Sequence, residues 1–418
     1  MMQKNNNQSD IRKRFVLGAF LFLVFFLSYS AVTLVASIIQ SDGSGGVEGY
    51  AKEILKVCAE SNYAPTCYDE EVPKLLQRGI SMEEAFEVTA LIQKEDPRYY
   101  YCHVLGHNLS AKEAAKDLSQ WTDVVARCPV GQCSNGCLHG AFQERFRDEN
   151  VSSEELGVLK PKLKTICEDT ATRTFTELER TSCYHAIGHL TMYIHDADAK
   201  ASVNLCDSVV TRSEPYEFVR NCYDGVFMQI FQPLEPEDIA LIADRAPRTQ
   251  TEARDFCAQF DRIPRESCNS ESWPLFLEDI KTIKGMDRFC GVYTTERGIQ
   301  GCYNTIFYVL TAHFEFNQDR LEAICLGLSD ERMAQCYANI SSRFLEIDDD
   351  FLEQSIEFCE RAEKTGVGKR CWDELLFYSS FSTVPGTERF EHFCGLLPHS
   401  YKERCQAGEG SNLSIFDL

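Results

Sequence analysis

Arg320-Leu321-Glu322-Ala323-Ile324-Cys325, followed after a short gap by Cys336-Tyr337, is the stretch that decides the fold. Leu321 and Ile324 stand three residues apart, the spacing that lays apolar groups along one helix face. The intervening residues Gly327–Ala334 are rich in Gly, Ser and charge and read as a turn. A second helix opens near Cys336. The unit recurs one step on, where Phe351-Leu352-Glu353-Gln354-Ser355-Ile356-Glu357-Phe358-Cys359 is followed by a turn at Glu360–Lys369 and then by Cys371-Trp372. It is present one step earlier as well, in Cys302-Tyr303-Asn304-Thr305-Ile306-Phe307-Tyr308-Val309-Leu310.

Followed outward, the helix-opening cysteine recurs at Cys67, Cys102, Cys137, Cys183, Cys222, Cys268, Cys302, Cys336, Cys371 and Cys405. All but Cys102 have a leading partner, at Cys58, Cys128, Cys167, Cys206, Cys257, Cys290, Cys325, Cys359 and Cys394. Most steps are near 34 residues, the length of a helix–turn–helix unit that is too small to bury its own core and is stable only when stacked. The expectation is an all-α fold: an α-solenoid of about ten helical hairpins at residues 50–418, each stapled by its own disulfide, after one N-terminal transmembrane helix. An aromatic follows the second cysteine at Tyr68, Tyr184, Tyr223, Tyr303, Tyr337 and Trp372, where it would pack over the staple.

Pairing within repeats uses all of these cysteines except Cys102 and leaves Cys133 over, so a Cys102–Cys133 bridge would complete the set beside Cys128–Cys137. This local cluster admits other connectivities. Closing a loop of roughly ten residues removes ~2–3 kcal/mol of unfolded-chain entropy, and such density implies an oxidising compartment.

Phe15–Ile39 is an almost unbroken apolar run with no charge, long enough to cross about 30 Å of hydrocarbon as a helix. Lys4, Arg12, Lys13 and Arg14 precede it, which favours a cytoplasmic tail at 1–14, a signal anchor at 15–39 and a flexible spacer at 40–49. The alternative is a cleaved signal peptide ending near Ala31. Either exports the bulk of the chain. The basic tail makes the remainder more acidic than the formal net charge of −22 for the whole, which argues against nucleic acid as a partner. Insertions at Asp148–Lys160, Gln232–Asp238 and Ala246–Arg248 break the even period and read as loops on one face.

A leading cysteine, a turn, a second cysteine with tyrosine and then an apolar helix, as in Cys290/Cys302-Tyr303 and Cys325/Cys336-Tyr337, resembles the bacterial secreted cysteine-rich proteins built from tetratricopeptide-related helix pairs. That resemblance covers residues 50–410 as architecture. It implies a curved scaffold for protein or peptide partners.

Three successive repeats carry chemistry that the others lack. Five of the nine histidines lie in Cys102-His103-Val104-Leu105-Gly106-His107, Cys137-Leu138-His139-Gly140 and Cys183-Tyr184-His185-Ala186-Ile187-Gly188-His189. Two copies of His-x-x-Gly-His place imidazoles at i and i+4 on one helix face, and helices 8–10 Å apart allow such rows to converge. The set suits a transition metal such as Zn, Cu, Fe or Ni. Glu144, one turn past His139, is a further candidate ligand or base, and His195 could extend the row. A zinc site at Cys133, Cys137 and His139 is conceivable at the cost of the disulfide count.

No His-Glu-x-x-His helix, Gly-x-Ser-x-Gly elbow, Walker or dinucleotide glycine loop, or Cys-x-x-Cys pair occurs. Two functions remain open: a membrane-tethered extracytoplasmic scaffold, or a metal-dependent enzyme or metal-binding protein using His103, His107, His139, His185 and His189.

Overall fold

The computed structural model describes residues 46–413, apart from 97, 100, 130–131, 147–151, 172, 211–217, 234–235 and 348–350. Among these residues the protein is all-α, with helices, short 3₁₀ turns and no strand. Helices alternate as the cysteine pattern predicts. Outer helices such as Ala199–Val209, Ile283–Cys290, Gln318–Cys325 and Leu352–Lys364 carry the leading cysteine. Inner helices such as Phe218–Phe231, Glu296–His313, Asp330–Ile347 and Gly368–Phe381 carry the second.

Ten disulfides join them: Cys58–Cys67, Cys102–Cys133, Cys128–Cys137, Cys167–Cys183, Cys206–Cys222, Cys257–Cys268, Cys290–Cys302, Cys325–Cys336, Cys359–Cys371 and Cys394–Cys405. Their Cα–Cα separations run from 4.7 to 5.9 Å, within the span a disulfide bridges. Cys102–Cys133 alone ties an inner helix to the turn before the next one.

Inner helices start earlier than the turn residues suggested. Asp330–Ile347 begins inside Gly327–Ala334, and the Glu360–Lys369 turn shrinks to the few residues between Lys364 and Gly368. Thr295 accepts from the Gly298 amide, and Thr176 forms a capping box with Glu179; these caps set the starts well upstream of Cys302 and Cys183. Two of the insertions are corrected too. Ser153–Leu163 and Pro236–Ile242 are helices, whereas Ala246–Arg248 is loop as expected.

The residue after the second cysteine is buried at Tyr68, Tyr184, Tyr223, Tyr303, Tyr337 and Trp372. Most of these tyrosines also donate to a carboxylate near a leading cysteine: Tyr184 to Glu168 at 2.6 Å, Tyr337 to Glu322 at 3.2 Å, and Tyr223 to Asp207. A tyrosine can cover a staple with its ring while its hydroxyl finds a partner, so the core tolerates the polar end.

His103–Ala114 packs closely on Gly136–Phe146, and Glu177–Ile194 on Phe218–Phe231; Gly136–Phe146 and Glu177–Ile194 join these two pairs. Late inner helices return against the early ones. Gly368–Phe381 touches Glu177–Ile194, and Asp330–Ile347 touches the turn at Cys133–Asn135. No helix among the described residues is long and apolar enough to cross a membrane; the stretch 15–39 lies outside them.

Candidate metal centre

Glycines bring the early inner helices into backbone contact. A Cβ on Gly140 would fall 2.1 Å from the His107 carbonyl oxygen, and one on Gly188 would fall 2.1 Å from that of Cys222. No side chain fits there, so the helices approach until the residues beside the glycines meet. His103 and His107 stand on His103–Ala114, His139 on Gly136–Phe146, and His185 and His189 on Glu177–Ile194.

The five imidazoles form one cluster. His103 Nε2 and His107 Nε2 are 3.0 Å apart, and His185 Nε2 and His189 Nε2 are 3.1 Å apart. His139 lies between the pairs, its ring centroid 5.0 Å from both His103 and His107 and 5.6 and 5.5 Å from His185 and His189. One nitrogen from each of His103, His107 and His139 falls within 4.8 Å of the others.

The opposite edge of four rings is held by carbonyl oxygens. His107 Nδ1 faces Gln143 Oε1 at 3.0 Å, and His189 Nδ1 faces Gln229 Oε1 at 2.6 Å. His103 Nδ1 faces the Cys133 and Ser134 carbonyls at 3.3 and 3.2 Å, and His185 bonds the Asn221 backbone. A carbonyl oxygen only accepts, so each ring places its proton on that outer nitrogen and leaves a lone pair on Nε2. With those tautomers each pair turns two Nε2 atoms toward each other at 3.0 to 3.1 Å. Two nitrogens bound to one ion at ~2.0–2.1 Å, between right-angled and tetrahedral, would lie about 2.9–3.4 Å apart. A hydrogen-bonded outer nitrogen is also the usual way a protein orients a metal-ligating histidine.

Burial keeps His103, His139, His185 and His189 neutral, the state in which imidazole binds metal. Desolvation pushes His103 down to about 4, aided by the charge of Arg343, and it lowers His189. For His139 and His185, desolvation and then the neighbouring imidazoles drive the values well below the ordinary one. No carboxylate or thiolate belongs to the converging set among the described residues.

The other candidates fall outside this geometry. Glu144 is not part of the convergent triad. His195 ends the Glu177–Ile194 helix, where its electrostatic neighbours are Asp198 and Lys160 rather than the cluster. The thiolate zinc site at Cys133, Cys137 and His139 is excluded, because both sulfurs are spent in the Cys102–Cys133 and Cys128–Cys137 bridges. Sequence reasoning overlooked Gln143, which falls at i+4 from His139, and Gln229, at i+4 from Gly225; both spacings were visible in the chain.

No family model matches this chain, nor does any curated protein or solved structure.

Proposed function

We propose that this chain is a metal-binding protein of an oxidising, extracytoplasmic compartment, in which His103, His107 and His139 hold a transition-metal ion (Zn, Cu or Fe) with His185 and His189 beside it. One observation carries the reading: lone pairs of neutral imidazoles face one another across about 3 Å in a buried site, with every outer nitrogen of the two pairs already committed. In this proposal the repeats stack as a solenoid and residues 15–39 tether it to a membrane. The ten disulfides support the oxidising compartment.

A scaffold for a protein or peptide partner draws on the repeats alone. It is the weaker reading, because the inner helix faces such a ligand would occupy are filled by imidazoles and their partners.

Metal analysis of the full-length protein tests the proposal, with the His107→Ala/His189→Ala double variant as comparison. Stoichiometric metal in the parent and its loss in the folded variant are expected. A parent that stays metal-free after incubation with Zn(II), Cu(II) or Fe(II) would sink the assignment.

A further inference from the structure

The inner surface beside the triad holds a cation that is short of partners. Arg343 is 4 % exposed. Among the described residues its one hydrogen bond is Nη1 to Glu346 Oε2 at 3.3 Å, and its Nε is buried without a partner. A guanidinium carries five N–H donors in a planar fork, and buried ones are normally satisfied. Its remaining support is the face of Tyr308, 3.4 Å from the guanidinium carbon.

Position links this arginine to the histidines. Asp330–Ile347, which carries it, packs on the Cys133–Asn135 turn whose carbonyls hold His103. Tyr101 stacks on His103 with ring centroids 5.8 Å apart. The charge of Arg343 acts on His103, Tyr101 and Tyr308 alike. Tyr101 and Tyr308 are 42 % and 43 % exposed, so solvent reaches both the ring stacked on His103 and the ring that faces Arg343. Part-exposed rings beside a guanidinium that is itself nearly buried mark a recess in the surface.

Resting on the metal reading, we propose that this recess binds a small carboxylate, held by Arg343 and reaching the ion at the His103/His107/His139 triad. Charge balance points the same way. Neutral imidazoles leave a bound dication uncompensated, and the Glu346 carboxylate that pairs Arg343 offsets the guanidinium alone; a buried ion of this kind calls for an anion. Three imidazoles also leave a tetrahedral position open for an outside ligand. A planar monoanion fits the guanidinium fork, whereas a phosphate dianion would meet the Glu346 carboxylate on the same arginine.

Two measurements on the full-length protein test this. Calorimetric titration of metal-stripped protein with acetate reads the arginine site without the ion, and the visible spectrum of cobalt-loaded protein reads whether acetate reaches it. The expected result is saturable heat and a cobalt band shift, with acetate binding at least 10-fold weaker in Arg343→Gln, partly restored in Arg343→Lys, and cobalt stoichiometry unchanged. Inorganic phosphate should bind more weakly than acetate. No heat with acetate, equal binding in Arg343→Gln, or tighter binding of phosphate each overturns the proposal. Acetate heat that depends on Arg343 in a protein that takes up no cobalt keeps the carboxylate site and removes the metal centre. A cobalt spectrum indifferent to acetate, with the heat retained, removes the contact with the ion.

Discussion

The early and late inner helices use the same positions for opposite purposes. His185 and His189 follow Cys183 by the same offsets at which Asn304 and Tyr308 follow Cys302. One residue further round, Asn339 and Arg343 follow Cys336 as Glu374 and Tyr378 follow Cys371. In the late helices these groups serve one another. Gln335 donates to Asn304 at 2.5 Å and to the Gln300 carbonyl at 2.8 Å, Asn339 and Ser342 donate to Glu374 at 2.8 and 2.7 Å, and Tyr378 donates to Glu346. In the early helices the outer nitrogens are satisfied and the inner ones confront each other. One half spends most of these groups on one another. The other turns imidazole nitrogens toward one another, the arrangement that the proposed ion would complete, and Arg343, with its buried Nε unpaired, departs from the pattern of its own half.

Replacing one group in each half gives the widest separation. His139→Ala should weaken metal binding by about 1,000-fold or more, roughly 4 kcal/mol, with modest loss of stability, because it deletes a ligand without orphaning a neighbour. Asn339→Ala should leave metal binding intact and cost ~1–3 kcal/mol of stability, since buried Glu374 loses a donor. Competition against a chromophoric chelator reads the first, and denaturant titration the second. Equal effects of both variants on metal affinity would erase the distinction between the halves.

The disulfides sharpen it further. Cys102–Cys133 closes a separation of 31 residues and Cys290–Cys302 one of 12. The chain-entropy model gives ~3–4 and ~2–3 kcal/mol for loops of those sizes. Only the first also fixes the carbonyls that hold His103. Removing it as a Cys102→Ala/Cys133→Ala pair should therefore also lower metal affinity by about 10–100-fold, the usual loss when a ligand's orienting partner goes. The Cys290→Ala/Cys302→Ala pair should lower stability alone. Thermal melts and chelator competition on both pairs check this; unchanged affinity in the first pair would show that the turn does not orient His103.

Helix contact gives a smaller effect. Gly188→Ala puts a methyl into the Cys222 carbonyl, and overpacking of this kind costs ~1–3 kcal/mol. Gly395 has nothing within 4 Å of its virtual Cβ, so Gly395→Ala in the Glu388–Leu396 helix should cost nothing and gain up to about 1 kcal/mol from helix propensity. A destabilised Gly395→Ala, or an unaffected Gly188→Ala, in denaturant titration would contradict the close approach of the early helices.

These contrasts also mark what the chain discloses before it is folded. Pairing of Cys325 with Cys336 and the helices on either side follow from short-range spacing and apolar periodicity, which act within one repeat. The i and i+4 histidines are legible for the same reason. What spacing does not carry is the return of distant helices: nothing local brings Arg343 toward His103, because that approach depends on how helices far apart in sequence pack together. Ser153–Leu163 was hidden differently. Its Ser152–Glu155 capping box is a plain start signal and it buries Leu159 and Leu163, but Pro161 stands inside it and the segment falls where the cysteine period breaks, so it passed for loop. The lock between Tyr184 and Glu168 was missed because an acidic residue beside a cysteine looks like solvated surface until the tyrosine is placed over it.

Acid divides the halves most gently and by direction. His103, His139, His185 and His189 have folded values below the ordinary 6.5, that of His103 at about 4, because burial disfavours their charged form. Above pH ~6.5 neither folded nor unfolded chain holds these protons, and stability does not respond to them. Between about 6.5 and 4 the unfolded chain binds protons that the folded His103 refuses, so stability falls on acidification by up to ~1.4 kcal/mol per pH unit for each imidazole still neutral. Glu374 in the late half has the opposite sign: burial raises its value, so the folded chain keeps a proton that the unfolded chain releases at lower pH, and acidification favours folding there. Amide hydrogen exchange of metal-stripped protein at pH 7.5 and 5 should show faster opening, after correction for intrinsic exchange, at His103–Ala114 and Glu177–Ile194, while Gly368–Phe381 holds or gains protection. Bound metal should suppress the change in the early helices, since an ion occupies the lone pairs that protons would otherwise reach. Uniform acid sensitivity along the chain would mean that the imidazoles are not held neutral by their burial, and the opposition between the two halves would lose its electrostatic basis.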